Sequence, residues 1–114
     1  MIIYKITNLV NEKIYIGRTI STLAKRKHDH LLEASRPYYD GFNTPIHMAI
    51  REFGEDNFKW EIIDTVLFQE SLILLEKKYI ETLNCKIPNG YNVRGGDNII
   101  LWPWQLDRRD AVNK

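Results

Sequence analysis

One carboxylate sits where the pattern around it calls for an apolar side chain. Residues 69–83 read as a helix. At about 100° per residue, Leu72, Leu75, Tyr79, Ile80 and Leu83 share one face, and Lys77, Lys78 and Glu81 lie opposite. Glu76 falls about 40° from Leu72, close to the middle of the apolar face. A carboxylate there is costly unless it is paired, protonated or bound to a cation. A glutamate at the rim, reaching water or an arginine, would satisfy the same pattern. A milder conflict occurs on a helix read from Leu23 to about Ala34. Arg26 and His30 are four residues apart, hence neighbours, and both fall on or beside the face that carries Leu23, Leu31 and Ala34. A guanidinium and an imidazole together suit a phosphate, one as a fixed bidentate cation and the other as donor or proton carrier. An arginine passing the core to reach water and a histidine with a backbone partner fit equally well. Tyr4 and Tyr15 are as readily packing residues of strands, and Asn92 a turn residue. His28 lies about 200° round from His30 and reads as surface; His47 reads as surface or rim. Together the set holds two phenols, a guanidinium, an imidazole, a lone carboxylate and an amide, with no serine or cysteine partnered by a base. It lacks the parts of an acyl-transfer triad. It suits metal-assisted phosphodiester hydrolysis, where a carboxylate holds the cation and cationic groups hold the phosphate.

The elements that must position these groups are short. Residues 2–7 and 13–17 are β-branched and aromatic and read as strands, joined by a hairpin loop over Asn8 to Glu12. Alternation puts Tyr4 and Ile2 on one face, Ile3 and Lys5 on the other, and gives Tyr15 and Gly17 a common face. Ser21 or Thr22 can cap the first helix, which stops at Arg36-Pro37 because a residue before proline avoids the helical region. Residues 37–44 read as a loop. Thr44 caps a second helix with Pro45 at its first position and Gly54 at its end; its core face is Ile46, Ala49, Ile50 and Phe53. Phe58 to Val66 forms a third strand with Trp60, Ile62 and Val66 among its apolar positions, and the helix over 69–83 follows. Asn89-Gly90 is a turn before the extended Tyr91-Asn92-Val93. This order predicts an α/β (α+β) domain: a small three-stranded, mainly antiparallel sheet flanked by three or more helices. Residues 1–96 would make that domain. Residues 97–114, with Trp102-Pro103-Trp104 and a charged run, would be a C-terminal tail or linker stub.

The 114 residues, 44% apolar and 27% charged, suit one globular domain rather than a disordered chain. No apolar run approaches the roughly 20 residues of a membrane span. The N-terminus lacks the pattern of a secretion signal. The single cysteine, Cys85, excludes a disulfide framework and Cys-rich zinc sites within this chain and fits a reducing compartment. A cytoplasmic or nucleoid-associated location is therefore expected. The net charge of +1 does not announce a nucleic-acid binder. Its distribution says more: residues 1–30 carry six basic side chains against Glu12 and Asp29, and the rest of the chain is net acidic. A basic N-terminal third can face phosphate, or be a chance fluctuation on a solvated face.

Ile2-Ile3-Tyr4, followed after ten residues by Tyr15-Ile16-Gly17, resembles the signature of the GIY-YIG nuclease superfamily. The resemblance continues in order through Arg26-x-x-x-His30, Glu76 and Asn89-Gly90-Tyr91-Asn92, and covers about residues 1–96. Single triplets are weak signals; the ordered set is a strong one. The chain is most similar to the catalytic domain of phage-type homing endonucleases, which join it to a linker and a separate DNA-binding domain.

The resemblance implies a metal-dependent DNA endonuclease domain that nicks one strand per active site. Glu76 would be the sole protein ligand of one divalent cation, Mg²⁺ with Mn²⁺ as a substitute, and no small organic cofactor is implied. Tyr4 would take the proton from the attacking water, and Tyr15 would orient water or phosphate beside it. Arg26 would clamp the scissile phosphate, His30 would assist Tyr4, and Asn92 would hold the site together. Gly17 would allow close backbone approach to DNA, with Arg18 and Lys27 as further substrate contacts. DNA is the implied partner, without a membrane, and with a homodimer or a separate targeting domain supplying the rest. Two departures stand out. Ile2 replaces the first glycine of the signature. The histidine that phage members often carry before the second helix has no counterpart in Tyr39-Asp40-Gly41-Phe42-Asn43. The alternatives are a catalytically silent module of the same fold that binds DNA or regulates, and an RNA-directed nuclease with the same site.

Overall fold

The structure, a computed structural model, describes residues 1–93. Its elements follow in the order β1 (Ile2–Asn8), β2 (Ile14–Thr19), α1 (Leu23–Ser35), α2 (Pro45–Phe53), a 3₁₀ turn (Glu55–Asn57), β3 (Phe58–Thr65) and α3 (Gln69–Thr82). The strands form one sheet in the order β2-β1-β3, antiparallel throughout. The expected fold class is the observed one.

The sheet is buried on both faces, which explains why β1 is apolar at consecutive positions rather than alternating cleanly. On one side Tyr4, Ile6 and Phe58 pack with Ala34 of α1 and with Ile46, Ala49 and Ile50 of α2. On the other, Ile3 and Ile16 pack with Leu72 and Ile80 of α3 and with Cys85. Each fully buried isoleucine contributes about 1.5–3 kcal/mol of transfer free energy. The result is three layers: two helices, the sheet, one helix.

Local signals account for most boundaries. Thr22 caps α1, its hydroxyl accepting the Lys25 N–H at 3.1 Å. Pro45 opens α2, and Gly54 ends it at φ +88°, a conformation that favours glycine. Several readings shift. β2 starts one residue later than expected and runs two residues further. A bulge in β3 opposite Ile3 and Tyr4 re-aims that strand: Ile63 packs into the core, and Ile62 is left exposed. Leu83 is the C-cap of α3 and stands exposed, so the end of the predicted apolar stripe is not core. Gly95-Gly96, Trp102, Trp104 and the segment 97–114 lie outside the described residues.

After α3 the chain returns to the sheet. Tyr91 N–H donates to the carbonyl of Ile14 at 2.9 Å. The Asn92 side chain grips the backbone of Ile16 from both sides, accepting its N–H at 2.9 Å and donating to its carbonyl at 2.8 Å. These bonds satisfy the outer edge of β2. Gly90 is required here by close approach: a Cβ would run into the backbone of Cys85.

Candidate active site

Tyr4 on β1 and Gly17 on β2 are direct cross-strand partners. A Cβ at Gly17 would collide with Cζ and Oη of Tyr4. The missing side chain is thus the space in which the Tyr4 phenol lies, directed across β2. Tyr15, on the same face of β2, packs beside it with ring centroids 6.3 Å apart. From α1, the His30 Nε2 lies 2.7 Å from Tyr4 Oη, and Arg26 Nε donates to the same oxygen at 3.2 Å. On the opposite face of the sheet, Glu76 projects from α3, buried as its neighbours Leu72 and Ile80 are. Arg18 of β2 approaches Glu76 Oε1 to 3.7 Å. One cleft of about 390 Å³ is lined from both layers by Tyr4, Tyr15, Arg18, Arg26, His30 and Glu76, among others.

Burial governs the electrostatics of this cleft. It pushes the Glu76 carboxyl up to about 7, against the opposing pull of Arg18. At 3.7 Å that pair is too long for a hydrogen bond, and Glu76 Oε1 is buried with no hydrogen-bond partner. A buried oxygen left in that condition is a ready ligand for a hard cation, which would return Glu76 to its ionised form. Among the described residues no group of three or more carboxylate, imidazole or thiol side chains converges to cage a metal. A cation held here would therefore depend on one carboxylate and keep most of its water. Burial also raises the Tyr4 phenol well above its ordinary value, reinforced by Tyr15 and opposed by Arg26. Tyr15 rises to about 12, through burial and then Glu76. The His30 imidazole falls to about 2, through burial, then Arg26 and His47. Tyr4 and His30 therefore meet at neutral pH as phenol and imidazole, with both rings uncharged.

The sequence profile of the GIY-YIG catalytic domain matches residues 1–92. The chain belongs to the GIY-YIG family. Two Enterobacteria phage T4 proteins, named "Putative endonuclease segE" and "Putative endonuclease segB", are each 30% identical to it, over 82% and 97% of this chain. These alignments cover 40% and 48% of the phage proteins, so the chain spans less than half the length of the curated relatives it matches. The catalytic domain of the homing endonuclease I-TevI superposes with a TM-score of 0.68 at 26% identity, over 81% of this chain and 96% of that domain. A glutamate-to-alanine variant of the same domain superposes with a TM-score of 0.69, at 26% identity over 82% and 92%. The fold and family are those of a phage-type homing-endonuclease catalytic domain.

Within this GIY-YIG domain, Tyr4, Tyr15, Arg18, Arg26, His30, Glu76 and Asn92 all border the cleft. Asn92 does so through its hold on β2. Gly17 serves Tyr4 directly, a reason for glycine that the signature alone does not reveal. Lys27 stands apart, with its Nζ 5.6 Å above the Trp60 ring rather than lining the cleft. His47 is the residue that sequence reasoning misplaced. It is buried, not at the surface, and its Nε2 lies 2.7 Å from His30 Nδ1. A weak signal existed: on the α2 wheel His47 stands about 60° round from Ile50, at the edge of the core face. Glu33 was also missed. It reaches the cleft from α1, 4.0 Å from both Arg26 and His47.

Proposed function

We propose that this GIY-YIG domain is a metal-dependent DNA endonuclease that hydrolyses one phosphodiester bond per active site. The observation that carries the reading is the buried Glu76 carboxylate oxygen, which has no hydrogen bond, in the same cleft as the Tyr4–His30–Arg26 cluster. A divalent cation bound at Glu76, Mg²⁺ with Mn²⁺ as a substitute, would neutralise phosphate charge and position water. Among the described residues, Glu76 would be its one protein ligand. Arg26 holds the scissile phosphate and keeps its Nε–H on Tyr4, stabilising the phenolate. Burial alone makes that phenolate hard to form, so Tyr4 serves as a base only with Arg26 on one side of its oxygen and His30 on the other. Tyr15 orients the phosphate or the attacking water. Arg18 guards the Glu76 side of the cleft and reaches substrate beyond it. Gly17 supports the site by making room for the Tyr4 ring.

DNA is the substrate this reading favours, and the cytoplasm the compartment where the domain would meet it. No helix among the described residues is long and apolar enough to cross a membrane. Residues 1–96 form the catalytic unit, with 97–114 as tail or linker, and sequence preference comes from a separate targeting domain or a second copy. The deciding experiment is nicking of supercoiled plasmid by the purified chain with Mg²⁺, against EDTA and Glu76→Ala. Nicking that needs the metal and vanishes in the variant is expected. Glu76→Ala cutting at the wild-type rate would overturn the mechanism. Tight binding of DNA with no cleavage, even after fusion to a strong DNA-binding domain, would point instead to a silent binding module. Cleavage of RNA in preference to DNA would reassign the substrate.

A further inference from the structure

The hydrogen positions of the buried cluster can be worked out from one backbone carbonyl. His47 Nδ1 lies 2.6 Å from the carbonyl oxygen of Gly41. A carbonyl only accepts, so Nδ1 carries the hydrogen. Thr44, which makes no side-chain cap bond to α2, instead donates its hydroxyl to that same carbonyl at 3.0 Å, leaving its oxygen 3.0 Å from Nδ1 as a second acceptor. Burial holds His47 neutral, with Arg26 and Arg51 acting in the same direction against Gly41 and Glu33. A neutral imidazole has one N–H, so His47 Nε2 presents a lone pair. The nitrogen facing it, His30 Nδ1, must donate. His30 Nε2 is then left as the acceptor, and Tyr4 donates to it. Arg26 Nε donates to the phenol oxygen, which both gives and receives one hydrogen bond. No other assignment satisfies every member while both imidazoles are neutral.

We propose that His47 is a positioning residue that fixes His30 as the Nδ1–H tautomer, so that His30 Nε2 is the acceptor for the Tyr4 proton. The proposal rests on the reading of Tyr4 as the base that activates water, and it adds where that base sends its own proton. In the free domain burial opposes a transfer from Tyr4 to His30 at both ends. The transfer therefore goes only with an anionic phosphate in the cleft, whose charge favours the imidazolium. The O–H bond of Tyr4 then breaks and an N–H bond forms at His30 Nε2. The electron pair stays on the phenolate oxygen beside Arg26. The phenolate then removes a proton from the attacking water, and the hydroxide forms a new P–O bond as the bond to the leaving oxygen breaks. That oxygen takes a proton from solvent, and the His30 imidazolium returns its own proton to solvent. Glu33 Oε1, 4.0 Å from His47 Nδ1, offsets the positive charge while it resides on the histidine pair. Without an acceptor at His47, His30 can place its hydrogen on Nε2 and point it at Tyr4. The phenol proton would then have no base to go to. The role is carried by α2, one turn beyond the loop in which the sequence offers no histidine.

The test is long-range ¹⁵N–¹H spectroscopy of the histidine rings at pH 7 in the full chain, run beside the plasmid assay. Wild type is expected to show His30 protonated at Nδ1 and bare at Nε2. In His47→Leu the His30 pattern moves to Nε2–H or to a mixture, and nicking falls by about 10²–10⁴-fold. His47→Gln places an amide oxygen near the position of Nε2; it restores the Nδ1–H tautomer and recovers most of the lost rate. Wild-type His30 protonated at Nε2 would overturn the proposal, and so would His47→Leu with an unchanged tautomer and full activity. If the leucine variant does not fold, wild type and His47→Gln still decide. The spectra read the tautomer whether or not the domain cuts DNA, so failure of this inference is distinguishable from failure of the nuclease reading.

Discussion

Glu76 and His30 show the same physics with opposite signs: burial penalises the charged form, raising an acid and lowering a base. Glu76→Gln keeps the shape of the side chain and removes its charge. Arg18 is partly exposed and can turn to water, so folding stability should change by less than about 1 kcal/mol. Nicking should fall by at least about 10²-fold. Urea denaturation and the plasmid assay on one preparation check both halves. His30 makes a pH prediction. Its imidazole sits at about 2 in the fold against 6.5 in an unfolded chain. Between those values the unfolded state binds a proton that the native state refuses, so stability falls as the pH drops below about 6.5 and keeps falling towards about 2. The slope owed to His30 alone is up to about 1.4 kcal/mol per pH unit. Denaturation of wild type and His30→Gln between pH 6.5 and 5 should show the wild type losing stability more steeply by that amount. Equal slopes would mean that His30 is protonated in the fold.

At the scale of elements, the site is assembled by pieces that β1, β2 and α1 cannot hold by themselves. The segment after α3 seals the edge of β2 through one amide. Asn92→Ala leaves the N–H and carbonyl of Ile16 without their side-chain partners and should cost about 2–4 kcal/mol, with Tyr15 and Gly17, the neighbours of Ile16, losing definition. Thermal melts give the stability; a loss of nicking larger than the unfolded fraction explains gives the effect on the site. The loop between α1 and α2 has its own clamp. Arg51 donates to the carbonyl of Ala34 at 2.9 Å and to Asn43 Oδ1 at 3.0 Å, and its guanidinium lies 3.6 Å from the centre of the Phe42 ring. Arg51→Lys keeps the charge but not the planar fork. It should release residues 36–44 and raise amide exchange around Gly41, whose carbonyl anchors His47.

For the whole molecule, the net charge of +1 sets the expected strength of DNA binding. Among the described residues the cleft offers two cationic side chains, Arg18 and Arg26. With two or three phosphates neutralised, log K against log salt should have a slope of only about −2 to −3. Fluorescence anisotropy on a duplex across a salt series measures it. A slope several-fold steeper would mean that further basic residues engage the backbone. Weak, shallow binding is the outcome that the proposed reading, with targeting by a separate domain or a second copy, requires.

The family, the fold class, the strand and helix order and most of the cleft were legible in the residues themselves. Those features rest on local pattern: β-branched runs, the cap at Thr22, Pro45 and Gly54 at the two ends of α2, and a carboxylate on an apolar stripe. Glu76 could be singled out because a helix wheel needs only sequence spacing. The arrangement of His47, Gly41, Thr44 and Glu33 could not be read that way. It depends on α2 packing against α1 and on a loop carbonyl that no side-chain pattern records. The same limit explains Gly17, whose reason is the ring of a cross-strand partner, and Ile62, turned outward by a bulge that alternation cannot see. Sequence fixes which groups are available and on which face of their own element they lie. Which nitrogen faces which oxygen is decided only when the elements pack, because hydrogen bonds are set by distances of a few tenths of an ångström between residues far apart in the chain.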